Sequence, residues 1–305
     1  MTPQLQDEAE KDSNEPTLSN GNRDGNTTNT NNTNANVDND DDDDDIIDIL
    51  LFDLDGTLYD HACGYEREIH SNIFKFMLEM AGGKFDAITT LEEAQRAWQP
   101  IFDKYNLTKR GLIGEGYVFD SRHYDTFVRK GAEKYFSKDD PLRKFLESFP
   151  SRMKKVVFTN APESSANEIL TLLGVRDLFD DVLGTDFLES KVCKPEPEAF
   201  SKVLTHLGVL SSSSSSSSSP PTTSEYHHHH HHHHHRNRRI CYFEDSFKNL
   251  KVGKDLGFRT VFITSETLQN EGKSNQELEA EQFDAILHKR VNMSLRSQLP
   301  QLWKV

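Results

Sequence analysis

The amino-acid sequence predicts an α/β protein in which a parallel β-sheet forms the core and an all-helical segment is inserted early. From residue 155 onward, short apolar runs alternate with helix-type patterns, which is typical of parallel sheets with helical crossovers. Residues 62–138, by contrast, show helix-type patterns only. An apolar run at 46–52 supplies a first strand ahead of this helical segment.

The first strand is predicted at Ile46–Phe52, a short stretch rich in Ile and Leu. It has no consistently polar face, which indicates a parallel strand buried on both sides. Two carboxylates, Asp53 and Asp55, follow it directly, and Gly56 and Thr57 come next. Open α/β sheets bind ligands at the carboxyl ends of their strands, so the two aspartates are the first candidates for chemistry.

Residues 62–138 are expected to contain three helices, because their apolar residues recur at helical spacing. Thr90 and Glu93 form a capping-box pattern at the start of the second helix, and Pro100 is expected to kink or end it. The predicted elements are a helix from Tyr65 to Met80, a helix from Thr90 past Trp98, a Gly-rich loop from Leu112 to Phe119, and a helix from Ser121 to Tyr135.

The second half of the chain alternates strands with helices, as a parallel sheet requires. Glycines mark the ends of its helices. The predicted strands are Lys155–Phe158, Val182–Leu183, Ile240–Phe243, Thr260–Ile263 and Asp284–Leu287, and the predicted helices are Glu163–Leu173, Pro195–Leu207 and Phe247–Leu256.

The acidic charge of the chain is concentrated in residues 1–45. They contain 13 Asp/Glu, 2 Lys/Arg and no aromatic residue, and they carry −11 of the net charge of −15. Such a segment cannot bury enough apolar surface to order itself, so residues 1–45 are expected to be a disordered acidic tail. The tail lacks the apolar core of a secretion signal. No apolar run approaches the ~20 residues that span a bilayer.

Composition also narrows the compartment and the partners. Cys63, Cys193 and Cys241 share no metal-type spacing, which favours a reducing compartment, the cytoplasm or the nucleus. Without a basic stripe, neither polymeric nucleic acid nor a membrane is an expected partner. Residues 211–239 include nine Ser and nine His in runs. This low-complexity segment is expected to be a surface-loop insertion within the core, with metal binding by the histidines as the alternative.

Further reactive residues follow later strands or precede a helix, and a parallel sheet brings them to the same edge as Asp53 and Asp55. They are Thr159 and Asn160 after the second strand, Lys194 before a helix, and Glu244 and Asp245 after the strand at 240–243.

These residue types point to phosphoryl transfer onto a carboxylate beside a bound Mg²⁺. Mg²⁺ prefers carboxylate oxygens, waters and phosphate as ligands. A lysine and a threonine hydroxyl neutralise and hydrogen-bond phosphate oxygens, and an aspartate can be the nucleophile. The metal ion also offsets the repulsion between that carboxylate and the incoming phosphate. The expected partner is therefore a small phosphorylated metabolite.

Four ordered motifs resemble those of the haloacid dehalogenase superfamily, and the resemblance covers residues 46–303. It implies a Rossmann-like core at 46–61 and 139–305 and a helical cap at 62–138. The motifs are Asp53-Leu-Asp-Gly-Thr57, Phe158-Thr-Asn160, Lys194-Pro195 and Glu244-Asp-Ser246. The pyrimidine 5′-nucleotidase branch of fungi and plants is similar in finer features, namely Phe52–Tyr59, Tyr105–Leu112, Phe158–Ala161, Lys194–Phe200 and Leu299–Trp303.

The resemblance implies a role for each motif residue. Asp53 attacks phosphorus and forms an aspartyl-phosphate, and Asp55 acts as general acid and then as general base. The remaining roles are phosphate binding by Thr159, Asn160 and Lys194, and Mg²⁺ binding by Asp245, Glu244, the Asp53 carboxylate and the Asp55 backbone carbonyl.

The implied function is a Mg²⁺-dependent phosphomonoesterase, with pyrimidine nucleoside 5′-monophosphates as the preferred substrates. Asp55 favours a phosphatase over a dehalogenase, because a halide leaving group needs no acid. The pyrimidine 5′-nucleotidase branch usually has two aspartates at the fourth motif, whereas this chain has Glu244 at the first of these positions, as some sugar-phosphate enzymes do. The alternatives are a phosphatase for sugar phosphates or lysophospholipids, and a catalytically idle protein that interacts through its acidic tail. No catalytic role is predicted for His61, and Trp98 is expected in the core.

Overall fold

The computed structural model describes residues 46–79, 88–210, 239–265 and 282–304, which all lie in one compact unit, Asp40–Val305. Predictions for the acidic tail, Met80 and residues 211–238 lie outside this part of the chain. Six strands of the described residues form one parallel sheet in the order β3-β2-β1-β4-β5-β6. They are β1 Ile49–Phe52, β2 Lys154–Phe158, β3 Asp181–Leu183, β4 Ile240–Glu244, β5 Arg259–Thr264 and β6 Ala285–His288.

Helices connect the strands, so the predicted α/β class with a parallel sheet is confirmed. The longest helices, of 15 residues each, lie between β1 and β2. The helices of the described residues are α1 Tyr65–Glu79, α2 Leu91–Tyr105, α3 Thr108–Gly114, α4 Ser121–Arg129, α5 Asp140–Glu147, α6 Glu163–Leu172, α7 Pro197–His206, α8 Phe247–Asp255 and α9 Leu295–Gln298, with 3₁₀ turns at His61–Cys63, Ala132–Lys134, Arg176–Leu178 and Pro300–Trp303.

The position of β1 in the sheet determines where a ligand can bind. The chain moves from β1 outward through β2 and β3, then returns to the other side of β1 with β4. Phe52 pairs in register with Val157 of β2 and Phe243 of β4, so the three strands end at nearly the same level. A crevice at the carboxyl ends of strands, where strand order reverses, is the usual ligand site of such sheets.

Residues of β1 are buried on both faces of the sheet, as its apolar sequence predicts. Leu50 and Phe52 belong to one core cluster, and Ile49 and Leu51 belong to another. Successive side chains of a strand point to opposite faces, so each face of the sheet packs against its own layer of helices. The strand is thereby fixed from both sides, which holds the residues just after Phe52 in place.

Helices α1 to α4 form a helical insertion, defined here as residues 65–129, and Pro100 lies inside its second helix. The expected end of the helix at Pro100 is wrong, since α2 continues to Tyr105. Proline removes one backbone hydrogen bond, but Trp98 and Ile101 on this helix are buried, and the Trp98 ring packs edge-to-face against Phe74 of α1 at 5.6 Å. Tertiary packing of this kind supplies most of a helix's stability and outweighs the single lost bond.

Three further differences from the sequence prediction have local causes. Part of the expected loop at 112–119 is helix α3, where Gly111 allows close packing because a Cβ there would lie 2.4 Å from the Ile101 side chain. Helix α4 ends at Arg129, and Gly131 with φ of 91° follows it. Helix α5 was not predicted, although Asp139 caps it by accepting a 2.9 Å hydrogen bond from the backbone N–H of Leu142.

Candidate active site

Asp53 lies immediately after β1, and its backbone N–H donates to the carbonyl of Phe243 on the neighbouring strand at 2.9 Å. The Asp53 side chain is 8% exposed. The ammonium of Lys194 donates to its Oδ1 at 2.6 Å and to Glu244 Oε2 at 2.7 Å. Lys194 is itself 1% exposed. The lysine predicted to neutralise charge thus lies between the carboxylates at the ends of β1 and β4.

Three carboxylates at these strand ends can hold a metal ion. One oxygen each from Asp53, Glu244 and Asp245 lies within 4.8 Å of the other two. Mg²⁺ binds through such oxygens and completes its shell with water and phosphate. The side chain of Asp55 does not belong to this group, and only its backbone carbonyl was predicted to bind the ion.

The charges of this cluster are out of balance, and that imbalance tests whether a cation fits. Burial and the Glu244 carboxylate raise the pKa of Asp53 well above its ordinary value, despite the opposing charge of Lys194. Burial also raises the pKa of Asp245 to about 7, although its hydrogen bond to His61 acts in the opposite direction. Burial acts to lower the pKa of Lys194, but the negative charges of Asp53 and Glu244 outweigh this effect, so the pKa of Lys194 is raised. An additional cation would stabilise these ionised carboxylates, so the donor set fits Mg²⁺.

Thr159 and Asn160 directly follow β2, the strand next to β1 in the sheet. Thr159 is buried, and its Oγ1 accepts a 3.1 Å hydrogen bond from the backbone N–H of Ala161. Asn160 is bonded to the backbone of Lys194, since its Nδ2 donates to the Lys194 carbonyl at 3.0 Å and its Oδ1 accepts from the Lys194 N–H at 2.9 Å. Asn160 therefore also positions Lys194, which the sequence did not predict.

The Asp55 side chain contacts the helical insertion. Arg129, at the end of α4, donates from Nη1 to Asp55 Oδ1 at 2.9 Å and from Nη2 to Oδ2 at 2.7 Å. The Tyr59 hydroxyl donates to Oδ1 at 2.5 Å. Burial acts to raise the pKa of Asp55, but Arg129 and then Tyr59 outweigh it, so this pKa is lowered. Arg129 was missed from sequence because its partner lies 74 positions earlier.

His61 also contacts this site, contrary to the prediction that it is isolated. Its Nε2 lies 2.7 Å from Asp245 Oδ2, and its Nδ1 lies 2.5 Å from Glu66 Oε2 of α1. Burial acts to lower the pKa of His61, but the hydrogen bonds to Asp245 and Glu66 raise it to about 11. Gly56 leaves room for this contact, since its φ is 76° and a Cβ there would lie 2.0 Å from His61 Nε2.

A cavity of about 210 Å³ extends from Asp55 into the helical insertion. Its apolar wall includes Trp98 and Phe102 of α2, and the Trp98 Nε1–H donates to Thr108 Oγ1 at 2.9 Å. Trp98 is 6% exposed, so it belongs to the core as predicted and also lines the cavity. The cavity therefore joins the acid–base candidate Asp55 to a binding space formed largely by α1 to α4.

Residues 47–257, more than two thirds of the chain, match the family model of the haloacid dehalogenase-like hydrolases. The chain belongs to this family. The resemblance that the four motifs predicted is thereby confirmed. The order of the strands, with β1 at the centre, brings the candidate site residues of this haloacid dehalogenase-like hydrolase to one edge of the sheet.

Two curated relatives of this hydrolase are 28% identical to it over 177 residues. Phosphate metabolism protein 8 of Saccharomyces cerevisiae aligns with 53% of this chain, which spans about half, 52%, of the yeast protein. Phosphoglycolate phosphatase of Colwellia psychrerythraea aligns with 54% of this chain and 72% of its own length.

Among solved structures, a haloacid dehalogenase-like hydrolase from Streptococcus pneumoniae is 17% identical and covers 80% of this chain and 94% of its own, with a TM-score of 0.45. L-2-haloacid dehalogenase from Xanthobacter autotrophicus is 13% identical and covers 79% of this chain and 94% of its own, with a TM-score of 0.43.

The structure brings most of the predicted site residues to one edge of the sheet. Asp53, Lys194, Glu244 and Asp245 meet there, while Thr159 and Asn160 lie beside them and Asp55 faces the cavity. Arg129, His61 and Tyr59 are additional contacts that the motifs did not reveal. None of the helices in the described ranges is both long and apolar enough to cross a membrane.

Proposed function

We propose that this hydrolase is a Mg²⁺-dependent phosphomonoesterase that acts through an aspartyl-phosphate on Asp53. The observation that carries the proposal is the convergence of the Asp53 carboxylate, the Lys194 ammonium and the acidic pair Glu244 and Asp245 at one strand edge. Asp55, two residues after the nucleophile, supplies the acid that an alkoxide leaving group needs and a halide does not.

The first step joins an Asp53 carboxylate oxygen to phosphorus while the bond from phosphorus to the ester oxygen breaks. Lys194 already occupies Asp53 Oδ1 at 2.6 Å, which leaves Oδ2 as the oxygen that attacks. Asp55, whose pKa is lowered by Arg129 and Tyr59, must first take up a proton, and it then gives that proton to the departing ester oxygen. A water then attacks phosphorus, Asp55 accepts a proton from that water, and the Asp53–phosphorus bond breaks to release inorganic phosphate.

Asp53, Glu244 and Asp245 would hold the Mg²⁺. When bound, the ion neutralises negative charge on the nucleophile and on the phosphate oxygens. Lys194 holds Asp53 in position through its ammonium, and Asn160 in turn fixes the backbone of Lys194. The buried hydroxyl of Thr159 is placed to donate a hydrogen bond to a phosphate oxygen.

For the substrate, we propose a nucleoside 5′-monophosphate, with pyrimidines preferred. The cavity next to Asp55 supports this, because Trp98, Phe102 and His70 give it aromatic walls on which a base could stack. One of the two curated relatives is named a phosphoglycolate phosphatase, which supports a small phosphate ester as the substrate class.

The mechanism is tested with p-nitrophenyl phosphate as a generic aryl phosphate. We expect hydrolysis that EDTA abolishes and Mg²⁺ restores, and a loss of at least about a thousandfold in Asp53→Asn, because the amide cannot act as the nucleophile. Asp177→Asn serves as a matched control, since Asp177 is an exposed carboxylate paired with Arg143. Residual activity of Asp53→Asn near that of the control would contradict the nucleophile assignment.

The substrate is tested with a panel of phosphate monoesters at equal enzyme and Mg²⁺ concentrations. We expect kcat/KM to be highest for uridine and cytidine 5′-monophosphates. Equal or faster turnover of ribose 5-phosphate or a lysophosphatidic acid would transfer the assignment to the sugar-phosphate or lysophospholipid class. Activity on the aryl phosphate is independent of this outcome, so the mechanism and the substrate are decided separately.

A further inference from the structure

The cavity next to Asp55 has a charged wall whose cations are already neutralised. Among the described residues that line it, two are cations, Lys109 and Arg129, and three are carboxylates, Asp55, Glu66 and Asp125. Arg129 is paired with Asp55 at 2.7 Å, and Lys109 is paired with Asp125 at 2.7 Å. A second anionic group beside Lys109 would therefore meet no uncompensated positive charge, whatever the protonation state of Asp55.

The Lys109–Asp125 pair is built into the helical insertion. Lys109 is on α3 and Asp125 is on α4, and their side chains are 7% and 18% exposed. Charges that are buried in this way must be paired. Within the pair, only the donors and acceptors that the salt bridge does not use can still hydrogen-bond to a ligand. Lys109 retains two further N–H donors, and Asp125 retains a second carboxylate oxygen. Together they offer donors and an acceptor to a neutral ligand.

Thr185, just after β3, adds a third polar group to the wall. It is 1% exposed and lines the same cavity. Its backbone N–H donates to the carbonyl of Ala161 at 3.1 Å, but its Oγ1 has no hydrogen-bond partner among the described residues. A buried hydroxyl without a partner is costly, and a ligand that hydrogen-bonds to it would remove that cost.

We infer that Lys109, Asp125 and Thr185 determine substrate specificity. They favour substrates with an uncharged, hydrogen-bonding leaving group over substrates whose leaving group carries a carboxylate or a second phosphate. The inference rests on the proposed phosphomonoesterase activity and narrows its substrate class. Asp125 is the decisive residue, because its carboxylate both cancels the charge of Lys109 and repels an anionic leaving group. Nucleosides and sugars satisfy this requirement, whereas glycolate and glycerate do not.

The test compares two nearly isosteric esters, sn-glycerol 1-phosphate and D-3-phosphoglycerate, which share the configuration at C2 and differ by the exchange of a hydroxymethyl group for a carboxylate. The full-length protein with Mg²⁺ is assayed for kcat/KM on each, and p-nitrophenyl phosphate reports the activity itself. We expect the wild type to prefer glycerol phosphate at least tenfold. Asp125→Asn leaves the Lys109 charge uncompensated. A unit charge about 10 Å from the leaving group, at an effective dielectric constant of about 20, is expected to reduce this preference about tenfold.

Two other variants complete the design. Lys109→Gln removes the cation and keeps the Asp125 carboxylate, so it is expected to increase the preference for the neutral ester, and it provides the test if Asp125→Asn does not fold. Asp177→Asn removes an exposed carboxylate paired with Arg143 and is expected to leave the preference unchanged.

Three outcomes would overturn the inference. With aryl phosphatase activity intact, equal turnover of the two esters by the wild type, or an unchanged ratio in both cavity variants, would refute it while the proposed function stands. Absence of aryl phosphatase activity in the wild type would refute the proposed function and this inference with it.

Discussion

Replacement of Arg129 by Met tests whether the ion pair between the helical insertion and the catalytic edge stabilises the fold. Arg129 donates two hydrogen bonds to Asp55, and methionine keeps most of its apolar stem while removing the charge and both donors. Tyr59 would remain as the partner of Asp55. We therefore expect a less stable protein in which Asp55 is buried with one hydrogen bond instead of three.

The exposure of the pair sets the magnitude. The side chains of Arg129 and Asp55 are 14% and 26% exposed. Fully exposed pairs contribute up to about 1 kcal/mol, and truncation of a buried pair costs about 3–5 kcal/mol. We expect a loss of about 2 kcal/mol in the free energy of unfolding, equivalent to about 4–8 °C in Tm for a domain of this size. Arg129→Lys, which keeps the charge without the paired donors, is expected to lose about half as much.

The direction of the pKa shift predicts how this loss varies with pH. The folded-state pKa of Asp55 is lowered, so the pair contributes fully above the ordinary aspartate pKa of about 4, and the contribution disappears as pH falls through the folded value. Urea unfolding at pH 7 and at steps below pH 5 should show the difference between wild type and Arg129→Met narrowing in acid.

A double-mutant cycle with Asp55→Asn isolates the interaction from other effects of each substitution. We expect a coupling energy of about 2 kcal/mol at pH 7. Additivity of the two substitutions within about 0.5 kcal/mol would refute the reasoning, because it would show that the pair contributes nothing beyond its separate side chains.

Three further predictions concern other parts of the chain. Gly56→Ala should lower the free energy of unfolding by about 3 kcal/mol in urea, because φ is 76° and the new Cβ would lie 2.0 Å from His61. Gly208→Ala, at φ 74° in open space, should lower it by only about 1 kcal/mol. Equal losses in the two variants would contradict the close approach at Gly56. In EDTA, His61→Gln should be less stable than wild type near pH 6.5. The difference in free energy of unfolding should shrink as pH rises toward the folded-state pKa of His61, about 11. A difference that grows with pH would contradict this prediction. Replacement of residues 211–238 by a short Gly/Ser linker should leave aryl phosphatase activity unchanged, because loop length affects stability weakly; loss of activity would give the histidine run a role.

The fold could be predicted from sequence where local pattern and tertiary packing agree. The strands predicted at 46–52 and 240–243 are apolar and are followed by carboxylates, so both their type and the edge that carries the candidate site could be predicted. Prediction failed at Pro100 and Gly111, because residues that usually break helices are accommodated by contacts from other elements. Those contacts, between α2 and α3 and between Trp98 and Phe74 of α1, depend on partners that lie on other helices.

The residues of the candidate site likewise include some that could be predicted from sequence and some that could not. Motif residues such as Asp53 and Lys194 could be found because the chemistry demands particular residue types at strand ends. Arg129, His61 and Asp125 could not, because each owes its role to a partner brought close only by folding, across 74, 184 and 16 positions respectively. Signals for such residues would have to come from three-dimensional proximity.

The core cluster that contains Leu50 and Phe52 continues without a break into the helical insertion. Tyr59 packs on Phe136 with ring centroids 4.6 Å apart, and the Tyr65 ring of α1 meets the same phenylalanine at 5.1 Å. The insertion and the sheet therefore share one hydrophobic interior, and neither can melt while the other keeps its buried surface. We expect calorimetry to show one cooperative transition for both. For protein engineers, this makes the insertion a poor candidate for transplantation as an independent module.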